Sequence, residues 1–82
     1  MPARKRRTIS LASIDRIFLK AQCAPADIAA AEEFGQMLEQ IAGEILETAK
    51  VLTKLAGRKT ITDADITLAY GEWKKKLVKG LP

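Results

Sequence analysis

Apolar residues recur along the chain at steps of three and four in three blocks, a spacing that predicts three helices. The first block runs from about Ser10 to Gln22. Leu11, Ile14, Ile17 and Phe18 mark one apolar face, and Ser10 or Ser13 is placed to cap it. Ala24-Pro25-Ala26 then breaks the pattern, because proline lacks the amide donor and disfavours helix at the residue before it. Asp27 opens a second helix reaching about Ala56, with Glu32 and Glu33 near its positive end and Lys50 and Lys54 near its negative end. Phe34, Leu38, Ile41, Ile45, Ala49, Leu52 and Ala56 form its stripe, and Met37, Leu46, Val51 and Leu55 widen that stripe beyond one face. Gly57 supplies the left-handed stop. After an extended piece, Lys59-Thr60-Ile61, Thr62 caps a third helix in which Asp65 can close a capping box. Ile66, Leu68, Ala69, Trp73 and Leu77 carry its apolar side, and Gly80 and Pro82 end it.

These lengths constrain assembly. A helix of about 30 residues is about 45 Å long, and two flanking helices of half that length leave much of a wide stripe uncovered. The expected solution is that two copies cross their long helices and share one core, with Phe34, Leu38, Ile41, Ile45 and Leu52 in it. With 82 residues the chain makes one domain: a basic tail over 1–9, expected to be disordered, a helical domain over 10–77 and a short extension over 78–82.

Charge alters the picture because it is unevenly placed. The net charge is +4. Arg4, Lys5, Arg6 and Arg7 lie at one end, and Lys74, Lys75, Lys76 and Lys79 at the other. Those eight leave six of the fourteen basic residues between Thr8 and Trp73, against ten acidic ones. A polyanion must therefore be met by the ends and a few focused positions. There is no histidine, which removes familiar zinc sites and imidazole acid–base chemistry. Cys23 alone allows no internal disulfide and reads as a small residue at a helix end. No credible nucleophile–base pair exists, so no catalysis, cofactor or metal is expected. No apolar run approaches the ~20 residues that span a bilayer, and no apolar core follows the basic start, which predicts an intracellular protein.

Short helix, long helix, short helix, with Ala56-Gly57-Arg58-Lys59-Thr60-Ile61 followed by Asp65-Ile66 and Leu68-Ala69, resembles the archaeal-type histones and their bacterial counterparts. Ile14, Arg16 and Ile17 fit the same pattern, and the likeness covers roughly Leu11 to Trp73. The resemblance implies an all-α histone fold forming a handshake homodimer, in which each second loop pairs with the partner's first loop and faces double-stranded DNA. It implies Arg16 as a minor-groove arginine, Lys59 and Thr60 as phosphate ligands, and an Arg58–Asp65 structural salt bridge. Lys20, Arg58 and the tail residues Arg4, Lys5, Arg6 and Arg7 complete the candidate DNA-binding set. Such binding reads backbone and groove shape, not base edges. It implies a nucleoid-associated protein that compacts or bends DNA.

Two departures bear on higher assembly. Gln22 stands where the family has a small glycine, and Leu55 where it commonly has a histidine that joins dimers. A continuous rod of dimers is thereby put in question, and the Lys74–Lys79 extension suggests a closed tetramer instead. Two other functions compete. One is a histone-fold interaction subunit that does not touch DNA, favoured by the acidic middle. The other is a helix-turn-helix regulator, opposed by Thr62-Asp63-Ala64-Asp65, which is acidic where base contact would be needed.

Overall fold

The computed structural model describes residues 8–24 and 26–80. Arg4, Lys5, Arg6, Arg7, Pro25 and Pro82 lie outside the described residues. The protein is all-α: α1 spans Leu11–Lys20, α2 Ile28–Leu55 and α3 Asp63–Lys79, with no strand among the described residues. Where an extended Lys59-Thr60-Ile61 was expected, the chain bends at Lys59 and Thr60. The third helix runs two residues past the expected domain end at 77, and Gly80 caps it.

Each helix starts on a local hydrogen bond. The Ser10 side chain accepts from the Ser13 amide at 3.1 Å. Asp27 Oδ1 accepts from the Ala30 amide at 2.8 Å. At α3 the capping box is complete: Thr62 Oγ1 accepts from the Asp65 amide at 3.3 Å, and Asp65 Oδ2 accepts from the Thr62 amide at 3.0 Å. Glu32 and Glu33 fall beyond the first turn of α2, which holds no acidic residue.

The first two helices end alike. After α2, Gly57 sits at φ 71° and donates to the Lys54 carbonyl, while Arg58 donates to that of Thr53. After α1, Gln22 sits at φ 60°, donating to Leu19, while Cys23 donates to Phe18. Both are Schellman closures, which satisfy orphan carbonyls by turning one residue into the left-handed region. Glycine adopts that region freely; glutamine pays for its Cβ.

The chain divides into two compact units, one up to Gln40 and one from Ile41. In the first, Ile14 and Ala31 are buried, Phe18 meets Phe34 edge to face at 5.4 Å, and Gly35 lies against Ile14. The Thr8 amide, within the stretch assigned to the tail, donates to Glu39 Oε1 at 2.9 Å. In the second, Ala49 and Ala69 are fully buried with Thr53 and Asp65. Apart from Ile14 in the first unit, the buried apolar positions are held by small residues. Phe34, Leu38, Ile41, Ile45 and Leu52, expected in a shared core, are only half-buried in the single chain. Leu19, Met37, Leu46, Val51, Leu55 and Leu68 are exposed, Leu55 by 80%.

Candidate nucleic-acid interface

The loop after α2 is built around one carboxylate. Asp65, in the first turn of α3, is 3% exposed. Arg58, just past the left-handed Gly57, grips it with two parallel bonds: Nη1 donates to Oδ2 at 2.7 Å and Nη2 to Oδ1 at 2.9 Å. Oδ2 also accepts from the Thr62 amide and, at 2.8 Å, from Thr53 Oγ1 on α2. The Thr53 hydroxyl lies equally close to the Ala49 carbonyl, so its single proton is shared between two acceptors. These donors, the Arg58 guanidinium first, hold the Asp65 carboxyl well below the usual carboxylate range despite its burial. The same bond raises Arg58.

The consequence is a fixed loop. Arg58 Nη1 also donates to the Thr60 carbonyl at 3.2 Å, which turns that carbonyl inward toward the guanidinium. Lys59 and Thr60 are both exposed. Arg58 itself, expected both in the DNA-binding set and in the salt bridge, is committed to the bridge, with its side chain 40% exposed. Beside the loop is an open groove of about 580 Å³ whose lining includes Lys50, Lys54, Arg58, Lys59, Val51 and Ile61. Lys50 pairs with Glu47 at 2.8 Å. Lys50 and Lys54, expected only as charges near the negative end of α2, line this groove. Their spacing of four places them on one face of α2, while Arg58 reaches the same groove from beyond the left-handed Gly57.

Arg16 and Lys20 are exposed on α1, four residues apart and so on one side of it, in the first unit; Arg58, Lys59 and Thr60 belong to the second. Trp73 is half-buried and stacks on Tyr70 at 6.1 Å, with Lys74 Nζ 4.9 Å from the Tyr70 ring. Cys23 is exposed. Among the described residues no cluster of three or more metal-ligating side chains occurs, and no helix is long and apolar enough to cross a membrane.

Fold and site together define a three-helix all-α chain whose second interhelical loop is locked by a buried carboxylate and exposes a lysine and a threonine hydroxyl. No family model matches the chain, and no solved structure matches it.

Proposed function

We propose that the protein is a sequence-nonspecific DNA-binding histone, nucleoid-associated, that dimerises by crossing its long helices and bends or compacts DNA without catalysis. The observation that carries this reading is the loop itself. Lys59 and Thr60 are presented outward from a segment held by Arg58 and Asp65, and a cation beside a hydroxyl on a rigid loop suits a phosphate oxygen. Two facts support the handshake dimer. The compact units divide within α2, α1 falling in one and α3 in the other, and these are the three helices among the described residues. The apolar residues on α2 are left half-buried or exposed, and an uncovered stripe of that extent marks a protein–protein surface. Arg16 and Lys20 are the candidates that α1 contributes.

The test is binding to two unrelated duplexes across a salt series. Wild type binds both alike, and log affinity falls linearly with log salt. Each lost phosphate contact lowers that slope by about one, so Lys59→Ala in a dimer lowers it by about two. Tight binding to only one duplex, or Lys59→Ala and Arg16→Ala that leave affinity and slope unchanged, overturns the reading. The second of these outcomes favours a protein-interaction subunit, a role that the exposed Glu33, Glu44 and Glu47 along α2 also suit. For the dimer, Leu38→Asp or Ile45→Asp buries a charge in the shared core and abolishes folding. A compact monomer of the wild type at micromolar concentration refutes it.

A further inference from the structure

The chain between Thr8 and Trp73 holds all ten acidic residues and only six basic ones, yet four of those six converge on one groove. Lys50, Lys54, Arg58 and Lys59 line the space beside the loop after α2, and Glu47 is the one acidic side chain lining it among the described residues. Two of the four cations are engaged: Arg58 holds Asp65, and Lys50 pairs with Glu47. Lys54 and Lys59 form no ion pair with a described residue. The Lys50–Glu47 pair is 60% and 73% exposed, and a surface pair of that kind adds little stability and opens readily. Lys50 and Lys54 stand two residues before and after Leu52, each about 160° round α2 from it. Their face is therefore turned away from the stripe that α2 offers to a second copy, and the groove stays open in the dimer proposed above.

We propose that one DNA strand runs from the Lys59–Thr60 loop into this groove, which makes Lys54, and Lys50 once it leaves Glu47, further phosphate ligands. This rests on the DNA-binding reading above and extends its contact from the loop onto the last two turns of α2. Charge and continuity select the occupant. A cluster of cations in an otherwise acidic stretch attracts a polyanion, and low-dielectric walls focus that field. Lys59 belongs both to the exposed loop and to the groove, so a strand whose phosphate meets Lys59 and the Thr60 hydroxyl has its neighbouring phosphates at the groove mouth. Lys50 and Lys54 continue from there along one side of α2, about 6 Å apart on its axis. Val51 and Ile61, between the cations, offer apolar surface to the carbon face of a deoxyribose. The negative end of α2 would oppose an anion, but its Thr53 and Lys54 carbonyls are taken up by the Arg58 and Gly57 amides.

The experiment is the slope of log affinity against log salt for the full chain on one duplex, with thermal melts alongside. Lys54→Ala lowers the slope by about two in a dimer, as Lys59→Ala does, and the double variant lowers it by about four because each lysine meets its own phosphate. Lys54→Arg keeps the charge and restores the wild-type slope. Glu47→Gln moves the other way: it frees Lys50, tightens binding and steepens the slope by up to about two. Lys54 is exposed and unpaired with any described residue, so its variants melt with the wild type, and the lost affinity is not lost fold. If Lys59→Ala lowers the slope while Lys54→Ala and Glu47→Gln leave it unchanged, the groove carries no strand and the loop reading stands. If the wild type binds no duplex, the DNA reading itself fails and the strand path falls with it. A poly-glutamate peptide is the second probe: if Lys54→Ala weakens its binding but not that of the duplex, the groove takes an acidic protein segment and the strand path is overturned.

Discussion

The two Schellman closures offer a matched test of backbone strain, because they share one hydrogen-bond pattern and differ in the residue at the left-handed position. Gln22 occupies it after α1 at φ 60° and Gly57 after α2 at φ 71°. A residue with a Cβ costs roughly 1–2 kcal/mol in that region. Gln22→Gly removes this cost but adds freedom to the unfolded chain, worth about 0.4–1 kcal/mol. The net expectation is a stabilisation of about 0.5–1 kcal/mol. Gly57→Ala reverses the comparison. No heavy atom lies within 4 Å of the added Cβ, so the whole effect comes from the backbone, and the expected loss is about 0.5–1 kcal/mol. In a domain of this size each kcal/mol moves the melting temperature by about 4–8 °C. Gln22→Asn should fall between wild type and glycine, since asparagine tolerates the left-handed region better than glutamine. The assay is denaturant unfolding followed by far-UV circular dichroism, with all variants at one chain concentration because association adds to apparent stability. If Gln22→Gly destabilises the protein as much as Gly57→Ala does, the strain assigned to Gln22 is absent.

Three further expectations come from the interior. Asp65 has its carboxyl lowered in the folded protein, so its contribution is full above the ordinary aspartate range and is lost as pH falls through and below it. Unfolding followed from about pH 5 to pH 2 should therefore show stability declining toward acid, and Asp65→Asn should flatten that decline while lowering stability at neutral pH. Gly35→Ala places a methyl 3.5 Å from Ile14 Cδ1, an ordinary contact, so the helix gain of up to about 1 kcal/mol should appear as a higher denaturation midpoint. Ala69→Leu adds bulk at a position with no exposed surface and should cost about 1–3 kcal/mol in the same titration, with no loss if that packing can expand.

Helix starts were legible in the sequence because caps are local. Ser10, Asp27 and Thr62 each bond an amide three residues on, so a side-chain oxygen at the right offset suffices to mark them. Gly57 was legible for the same reason: only its φ matters, and glycine announces it. Gln22 was not, since nothing in a glutamine signals a left-handed turn. The apolar pattern accordingly extends the first helix to about Gln22, whereas it ends at Lys20. The Arg58–Asp65 bridge followed from a resemblance, but its third member did not. Thr53 reaches Asp65 across 12 residues of sequence, and only the packing of α3 against α2 brings the hydroxyl within 2.8 Å.

Burial was decided by tertiary structure in a way that periodicity does not report. The spacing of apolar residues identifies a stripe, but it ranks Leu38, Ile45 and Leu52 above Ala49 and Ala69 as core because they carry more apolar area. In the folded chain the order is reversed: the alanines have no exposed surface, and the leucines and isoleucine stay half-buried. Helices can approach most closely only where side chains are small, so between α2 and α3 alanine takes the axis of the contact and larger residues are pushed to its margins, while in the first unit Ile14 is buried against Gly35. What the pattern of apolar residues determined was how much apolar surface the helices carry; the fold determined which part of it one chain covers and which part it leaves exposed.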